Sequence, residues 1–368
     1  AFSLSLYNLK AYAYQSTQIR DWWDINVIQK PLINFGEKNN KKILSDLVNE
    51  IISKKPNFVG FSCYMWNIDS FLKISKDLKK KLPSVKILLG GPEIATEYVQ
   101  NSHFDKYAID FCVSGEGELT FSELLQHLEN GKPKIDDIDG LSHRSDTKLP
   151  FTVNAKRKPF KSIAEIPSPF LEGIVDEDVL ARSGVEANLE TQRGCNLRCS
   201  YCIYHKDMDR VAYSKIEKII KEVRYVIKRG VKKIRFVDAN FSSDKNHAKL
   251  VMKRLIRERF ETSLFFELIP GFIDDELAAL FGEYTKLHPQ NQITIGVGVQ
   301  TINPKVLKLM RRSIKKEKFE KTFKLLQKYN IYTKIDLIIG LPDEGISSIE
   351  ETLEYMVDQL RDSKAHLL

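Results

Sequence analysis

The chain has 368 residues, and its 57 Lys or Arg against 49 Asp or Glu give a formal net charge of +8. Its hydrophobic content of 42% and charged content of 29% are those of an ordinary globular protein, long enough for two domains with separate cores. No apolar run is long enough to span a bilayer and no signal-peptide pattern occurs, so we expect no membrane partner.

The basic residues are mixed with acidic ones and form no recurring stripe with aromatic residues, so we expect no nucleic-acid partner. The excess of positive charge instead favours attraction of an acidic protein. Five cysteines with no disulfide framework predict a reducing cytoplasm. Two of them, Cys63 and Cys112, lie in apolar strand-like runs and are expected in the core.

Strand and helix patterns alternate through residues 1–135, which predicts a doubly wound, Rossmann-like parallel sheet. The predicted helices are Ser3–Tyr14, Ile43–Ile52, Ile68–Leu82 and Leu119–Leu128, and the predicted strands are Trp22–Ile28, Phe58–Ser62, Val85–Leu89 and Ile109–Val113. A sheet of this kind usually has a central first strand, and none precedes Ser3. We therefore expect further residues upstream of this sequence.

Three loops follow predicted strands at the sheet edge where such folds bind ligands. Their glycines permit close approach of a ligand to the backbone, although plain turns remain an alternative. The candidate binding residues in these loops are Ser62, Trp66, Gly90, Gly91, Pro92, Glu93, Gly115, Glu116 and Gly117.

Residues 136–184 change in character. A short hairpin pattern follows Asp136–Gly140, and Pro159, Pro167 and Pro169 indicate an extended linker. This segment is the predicted boundary between the domains.

From residue 185 to 368 the alternation resumes and predicts a partial (β/α)6 barrel, with active-site loops at the carboxyl ends of its strands. The predicted strands are Val185–Glu190, Lys233–Val237, Leu264–Ile269, Ile293–Val299 and Thr333–Ile339, with a sixth beginning near Ala365. Helices are predicted over Ala248–Arg257 and Asp274–Phe281, from Asn303-Pro304, and from capping boxes at Ser214–Glu217 and Ser347–Glu350. We expect the barrel to continue beyond the end of this sequence.

Three cysteines, Cys195, Cys199 and Cys202, follow the first barrel strand in a CxxxCxxC spacing. Thiolates this close on one loop can bind a soft metal centre, and three of them leave one coordination position open. With His205 as a fourth ligand, the same loop would make a closed structural zinc site and a non-enzymatic module.

The cysteine spacing, with Tyr201 just before the third cysteine, resembles the radical S-adenosylmethionine (SAM) superfamily. The resemblance implies that the three cysteines hold a 4Fe-4S cluster, whose fourth iron is chelated by the amino and carboxylate groups of SAM. It also implies that Asp238 and Asn240 lie near the SAM amino group, Glu267 and Gln300 near its ribose and carboxylate, and Tyr201 near adenine. Either Arg311 or Arg312 would pair with the SAM carboxylate. Taken singly, each of these polar residues could instead be a helix cap or an exposed surface residue, and their shared position at strand ends is the better evidence.

The three loops of the first domain resemble the cobalamin-binding domain found in one branch of that superfamily. The resemblance implies that the Ser62 and Gly90-Gly91 segments line the slot for the nucleotide tail, and that the third loop borders the corrin. Trp66 would lie near the corrin edge, or would be a partly buried aromatic plug. The loop that carries an Asp-x-His-x-x-Gly motif in some cobalamin proteins would lie in the expected upstream residues, and the motif does not occur in this sequence. The branch that the chain resembles generally lacks this motif, so the resemblance implies no lower axial ligand from the protein.

Together the resemblances imply a cobalamin-dependent radical SAM C-methyltransferase that acts through a 5′-deoxyadenosyl radical and methylcobalamin. A cobalamin-assisted cyclase or rearrangement enzyme without methyl transfer is the alternative within the fold. A tRNA methylthiotransferase is disfavoured, because that related family carries a second cysteine-ligated cluster. The implied partners are a small-molecule or peptide substrate and an acidic electron donor such as flavodoxin or ferredoxin.

Overall fold

A computed structural model describes residues 3–30, 37–181, 184–204, 208, 210–312, 314–361 and 365–367. The chain forms two compact units that divide between Pro159 and Phe160. Among the described helices, none combines the length and the apolar character that crossing a bilayer requires.

The first unit is built around a five-stranded sheet in the order β1-β2-β3-β4-β5. Its strands are β1 (Phe58–Ser62), β2 (Lys86–Gly90), β3 (Phe111–Val113), β4 (Leu141–His143) and β5 (Thr152–Val153). Its helices are α1 (Leu4–Ala13), α2 (Thr17–Trp22), α3 (Glu37–Ser53), α4 (Ile68–Lys81), α5 (Thr96–Gln100) and α6 (Glu118–Asn130), with a 3-10 turn at Ile135–Asp137. Strands β1 to β3 are parallel, whereas β4 and β5 are antiparallel.

Helices cover both faces of this sheet because an inner strand, β2, is apolar on both sides. In β2, Ile87 and Leu89 pack with α3 and α4, whereas Leu88 packs with α6 and the end of α1 on the opposite face. Alternating side chains of a strand point to opposite faces, so a continuous apolar run requires cover on both. The doubly wound sheet predicted from the sequence is confirmed.

Two features of the first unit differ from the sequence-based expectations. The predicted strand Trp22–Ile28 is wrong, since α2 ends at Trp22 and the following residues form no strand. The Tyr14 hydroxyl donates to Trp23 O at 3.0 Å and accepts from Ile25 N at 2.9 Å, so a side chain replaces a strand partner there. The hairpin that we grouped with the linker joins the first sheet, where β4 pairs with β3.

The second unit is built around a six-stranded parallel sheet in the order β13-β12-β11-β10-β9-β6. Its strands are β6 (Glu186–Leu189), β7 (Gln192–Arg193), β8 (Ala212–Tyr213), β9 (Lys233–Phe236), β10 (Ser263–Leu268), β11 (Ile293–Gln300), β12 (Tyr332–Leu337) and β13 (Ala365–Leu367), with β7 and β8 forming a separate hairpin. Its helices are α7 (Glu177–Ala181), α8 (Ile216–Lys228), α9 (Lys245–Glu258), α10 (Asp275–Leu287), α11 (Pro304–Leu309), α12 (Lys316–Lys328) and α13 (Ile346–Leu360), with a 3-10 turn at Ile163–Glu165. The predicted strand near Ala365 is present, and the partial (β/α)6 barrel is confirmed.

The barrel separates an apolar outer layer from a polar lumen by strand alternation. In β11, fully buried Ile293, Ile295, Val297 and Val299 alternate with Thr294, Gly296, Gly298 and Gln300. Under the helices, the rings of Phe236 and Phe266 stack with centroids 4.8 Å apart. The lumen is therefore left to polar side chains and glycines.

Helix starts in this unit follow capping chemistry at some predicted positions and not at others. Asn303 and Asp274 cap α11 and α10 as expected. The two predicted capping boxes are wrong. Lys215 precedes α8, because the Ser214 amide donates to Thr191 O at 2.9 Å. Gly345 precedes α13, so Ser347 lies inside the first turn of that helix and does not cap it.

Candidate active site

The cysteine loop starts from a backbone turn after β6 that a buried carboxylate holds. Asp238 accepts hydrogen bonds from Thr191 N at 2.8 Å, Thr191 Oγ1 at 2.6 Å and Gln192 N at 3.1 Å. Burial raises the pKa of Asp238 to about 7. Two residues further on, Gly194 has φ of +97°, and a Cβ there would lie 2.6 Å from Arg210 O. The turn therefore requires glycine immediately before Cys195.

The three thiols influence one another electrostatically. Cys199 is buried and Cys195 and Cys202 are half-buried. Burial is the main cause that raises the pKa of Cys195 and of Cys202, and the neighbouring cysteines of the loop raise both further. Backbone N–H groups of the loop and the guanidinium of Arg312 act in the opposite direction, because they stabilise the thiolate. The structure thus brings all three predicted cysteines into one electrostatic environment.

Two contacts show what surrounds the sulfur atoms. Leu197 N donates to Cys195 Sγ at 3.4 Å, and Arg312 Nη1 donates to Cys199 Sγ at 3.5 Å. Arg312 also donates to the carbonyl of Gly298 in β11, so the guanidinium joins the cysteine loop to the barrel wall. Its Nε has no hydrogen-bond partner among the described residues.

This donor set fits an iron–sulfur cluster. Within the described residues, no three His, Cys, Asp or Glu side chains are gathered closely enough to hold one metal ion. A cluster does not require such convergence, because each cysteine binds its own iron. The N–H and guanidinium donors at the sulfurs are groups that tune such clusters. His205, the fourth ligand of the zinc hypothesis, lies outside the described residues.

The lumen of the barrel contains a charged network centred on Arg235. Its Nε lies 2.8 Å from Glu186 Oε1 and its Nη1 lies 3.5 Å from Glu267 Oε1. The guanidinium also lies over the ring of Phe265, 3.7 Å from its centroid. Burial, followed by the charge of Asp336, raises the pKa of Glu267 to about 7, against the opposing influence of Arg235.

Two glycines of β11 make room for polar side chains in this lumen. A Cβ at Gly296 would overlap the Glu267 carboxylate, and one at Gly298 would lie 2.7 Å from Gln300 Nε2. Glycine inside a strand often marks such a close approach. Gly296, Gly298 and Arg235 were not predicted as site residues from the sequence. The alternating glycines of an otherwise apolar strand were the available signal.

The predicted SAM-site residues differ in accessibility. Asp238 and Asn240 are buried, with 1% and 0% of their surface exposed, and both Asp238 oxygens are already engaged by Thr191 and Gln192. Asn240 Oδ1 accepts from Ile269 N and Ser242 Oγ, each at 3.2 Å. Glu267 and Gln300 face the lumen. We infer that Asp238 acts on the loop backbone rather than as a direct ligand.

The structure distinguishes between the two candidate arginines. Arg312 is 5% exposed and contacts Cys199, whereas Arg311 is exposed at the surface. Tyr201 is 39% exposed. Burial raises the pKa of its hydroxyl, and the nearby charge of Arg312 opposes this increase only in part. Tyr201 and Arg312 therefore lie together beside the cysteines. Two further polar residues follow barrel strands. Thr301 is buried, with its hydroxyl 3.4 Å from that of Thr352, and Asp343 is exposed.

A cavity of about 730 Å³ opens beside the loops that follow β9 and β10. The cysteine loop reaches its lining, because Asn196 Nδ2 donates to Ser243 O at 3.1 Å. The lining residues are Ser242, Ser243, Asp244, Lys245, Asn246, Lys249, Gly271, Phe272, Asp274 and Lys318. This volume suits a small organic molecule.

In the first unit, the loops after β1 and β2 touch backbone to backbone. Cys63 N donates to Gly90 O at 2.6 Å, and Glu93 N donates to Cys63 O at 3.2 Å. Gly91 has φ of +101°, and a Cβ there would lie 2.7 Å from Cys63 O. Glycine at this position is therefore a condition for the two loops to meet, and Pro92 follows directly on this contact.

An exposed aromatic pair stands on the loop after β1. The rings of Tyr64 and Trp66 stack with centroids 4.7 Å apart, and Trp66 is 60% exposed, so it is not a buried plug. Asn67 shapes this loop, since its side chain accepts from Tyr64 N at 2.7 Å and donates to Ser62 O at 3.2 Å.

The loop after β3 adds an unpaired hydroxyl at the same edge of the sheet. Ser114 is buried, and its Oγ has no hydrogen-bond partner among the described residues. Gly115 follows with φ of +81°, Glu116 is half-buried, and Gly117 precedes α6. An orphaned hydroxyl and exposed stacked rings at the ends of parallel strands fit a large ligand with planar and polar parts, such as a corrinoid.

Comparisons with known proteins agree with this arrangement. Residues 27–125 match the B12 binding domain, and residues 189–356 match the Radical SAM superfamily. The chain therefore carries a domain of the radical SAM superfamily, and a B12-binding domain precedes it in the sequence.

Individual relatives resemble the chain over nearly its whole length. It is 25% identical to the cobalamin-dependent radical SAM methyltransferase TokK of Streptomyces tokunonensis over 95% of this chain and 50% of TokK. It is also 25% identical to 2-(S-pantetheinyl)-carbapenam-3-carboxylate methyltransferase of Streptantibioticus cattleyicolor, over 95% of this chain and 50% of that protein. The chain thus spans about half the length of these curated relatives.

A solved structure shows the same fold. The methyltransferase TsrM of Kitasatospora setae, solved with tryptophan and a SAM analogue, superposes with a TM-score of 0.74 over 100% of this chain and 70% of TsrM, at 17% identity. At this level of identity the likeness concerns the fold.

Proposed function

We propose that this chain provides the cofactor-binding domains of a cobalamin-dependent radical SAM methyltransferase that methylates a carbon atom of its substrate. The contact between Arg312 and Cys199, on a three-cysteine loop at the mouth of a parallel barrel, carries this proposal. The adjacent B12-binding domain and the two methyltransferase relatives support it.

The proposed cofactors are a 4Fe-4S cluster, SAM and cobalamin. When bound, they supply the electron, the adenosyl radical and the methyl carrier that protein side chains cannot provide. Cys195, Cys199 and Cys202 would hold the cluster, and Asp238 would hold the loop that presents them. The positive charge of Arg312 would stabilise negative charge at the cysteines and at the SAM carboxylate.

The SAM site is proposed at the luminal mouth of the barrel beside this loop. Gln300 and Glu267 have the polar groups to bind ribose hydroxyls or the amino-acid part of SAM, and Tyr201 offers a ring for adenine. Gly296 and Gly298 keep the lumen open for these side chains. Asn240, whose Nδ2 lacks a partner among the described residues, would lie near the SAM amino group.

The cobalamin site is proposed at the loops after β1, β2 and β3. The Ser62 and Gly90–Glu93 segments would line the slot for the nucleotide tail, with Gly91 keeping the first two loops in register. Trp66 and the Gly115–Gly117 segment would border the corrin. The exposure of Trp66 and Gly115 and the unpartnered Ser114 hydroxyl support this assignment.

A small molecule or a peptide is the proposed substrate, and the 730 Å³ cavity beside the cysteine loop has room for a small molecule or one side chain of a peptide. An acidic one-electron carrier such as flavodoxin or ferredoxin is the proposed reductant, consistent with the net charge of +8. All five cysteines are free thiols, which supports a reducing cytoplasm as the site of action.

The test is anaerobic reconstitution with iron, sulfide and cobalamin, followed by addition of methyl-labelled SAM and a reductant. The expected result is transfer of the label to the bound corrinoid, detected by mass spectrometry, with label later found in the methylated product. The variant Cys199→Ala is the control. Absence of bound corrinoid and of SAM consumption would overturn the proposal, and an unlabelled product would assign a rearrangement instead.

A further inference from the structure

One stretch of the radical SAM domain next to the cysteine loop carries several basic residues and no acidic ones. Residues 301–316 contain six Lys or Arg and no Asp or Glu. Five of the six are exposed: Lys305, Lys308, Arg311, Lys315 and Lys316, with only Arg312 buried. None of these five exposed cations forms an ion pair with a described residue. Unneutralised like charges on one segment attract an anionic partner.

This segment adjoins the cysteine loop directly. Ser200, the residue after Cys199, donates from its backbone N to Met310 O at 3.0 Å, and its hydroxyl lies 3.5 Å from Leu309 O. The cationic segment and the loop that presents the cysteines therefore share a surface. A partner docked there would lie next to the thiols.

An exposed apolar side chain stands among these charges. Leu309 is 49% exposed, between Lys308 and Met310 in the sequence and beside Ser200 in space. An apolar centre with a charged rim is the usual composition of a transient protein interface. We define the basic surface as Lys305, Lys308, Leu309, Arg311 and Lys315.

We propose that the basic surface is the docking site of an acidic one-electron carrier protein that reduces the cluster. This inference rests on the proposed function, since it requires a cluster on the cysteine loop. The step is a single outer-sphere electron transfer, in which the carrier is oxidised by one electron and the cluster is reduced by one. No bond is made or broken and no further reactant is required.

The test measures reduction of the reconstituted cluster by stopped-flow absorbance, with reduced flavodoxin or with dithionite as electron donor. The triple variant Lys305→Glu, Lys308→Glu, Lys315→Glu reverses the charge of the surface without touching Arg312 or a cysteine. The matched control is Lys232→Glu, Lys233→Glu, Lys286→Glu, three exposed cations at the opposite, amino edge of the barrel sheet.

We expect the second-order rate constant with flavodoxin to fall by about 10-fold or more in the first variant at low ionic strength, because steering enhances such rates by 10 to 1,000-fold. The rate with dithionite and the iron content should be unchanged. In the control variant, the logarithm of this rate constant should fall by less than a third of the decrease in the first variant.

Four outcomes would overturn the inference. A wild-type rate constant with flavodoxin in the first variant would rule out the basic surface as the docking site and leave the proposed function intact. An equal decrease of that rate constant in the control variant would do the same. Salt-sensitive self-association that only the first variant loses, with unchanged flavodoxin kinetics, would assign the surface to a second copy of the chain. A protein that binds no iron and sulfide would overturn the proposed function and this inference together.

Discussion

The guanidinium of Arg312 lies against the sulfur of Cys199, with Nη1 3.5 Å from Sγ. The two residues are 113 positions apart in the sequence, and the contact connects the cysteine loop after β6 with the segment after β11. A cation beside a thiolate ligand stabilises the reduced, more negatively charged state of the metal centre that the thiolate binds. Arg312 is therefore placed to influence the redox behaviour of a cluster on this loop.

Replacement of Arg312 by Gln should make the midpoint potential of the reconstituted cluster more negative. The variant loses a positive charge and a donor at Cys199, so adding an electron becomes less favourable. We expect a shift of about 60 mV, which is a tenfold change for a one-electron couple. Redox titration followed by electron paramagnetic resonance measures it. Arg312→Lys should shift less, and exposed Arg311→Gln should not shift; equal shifts at both positions would contradict the prediction.

Replacement of Cys199 by Ala should remove most of the iron and sulfide that the wild-type protein binds after anaerobic reconstitution. The matched control is Cys112→Ala, which deletes a thiol buried in the core of the other domain. That control should keep its iron and lose about 1 kcal/mol of unfolding free energy. Metal and sulfide analysis together with thermal unfolding distinguishes the two. Iron retained in Cys199→Ala would rule out the cysteine loop as the cluster site.

Replacement of Gly91 by Ala should abolish corrinoid binding. Gly91 has φ of +101°, and the new Cβ would collide with the backbone of Cys63, so the loops after β1 and β2 must separate. Gly173 is the control, since its φ of +65° is also positive but a Cβ there meets nothing within 4 Å. Gly173→Ala should cost only the backbone strain of about 1–2 kcal/mol. Bound cobalamin is read from its visible spectrum, and wild-type loading in Gly91→Ala would contradict this placement.

The stability of the radical SAM domain should depend on pH through Asp238. The folded carboxyl has a pKa of about 7, above its ordinary value of 3.8, so between these values the folded state retains a proton that the unfolded state has released. Stability contributed by this group is therefore full at low pH and decreases as pH rises towards 7, by at most about 1.4 kcal/mol per pH unit.

The substitution Asp238→Asn tests this pH dependence. Urea unfolding of the cofactor-free protein between pH 5 and pH 8 should show the variant gaining stability relative to wild type as pH increases. Asp343→Asn, an exposed carboxyl in the loop after β12, is the control and should follow wild type. A constant difference between wild type and Asp238→Asn across this range would contradict the assigned burial.

Local sequence patterns predicted most of the architecture. The alternation of apolar runs and amphipathic helices predicts two parallel α/β units, because burial on both faces and helical periodicity are properties of neighbouring residues. These patterns failed where a residue distant in the sequence supplied the hydrogen-bond partner. Tyr14 satisfies the backbone of residues 23–25 and prevents a strand there, and Thr191 holds the Ser214 amide, so that α8 starts after Lys215.

The sequence by itself determined the cysteine spacing, the strand-end loops and the order of the two domains, all of which depend on residues close together in the chain. Only the tertiary structure brought Arg312 rather than Arg311 to Cys199, revealed Asp238 as an anchor of Thr191 and Gln192, and showed why β11 needs Gly296 beside Glu267. The physical reason is that charge, burial and steric overlap depend on distance in space. Asp238 and Gln192, 46 positions apart, and Arg312 and Cys199, 113 positions apart, meet only when the barrel has formed.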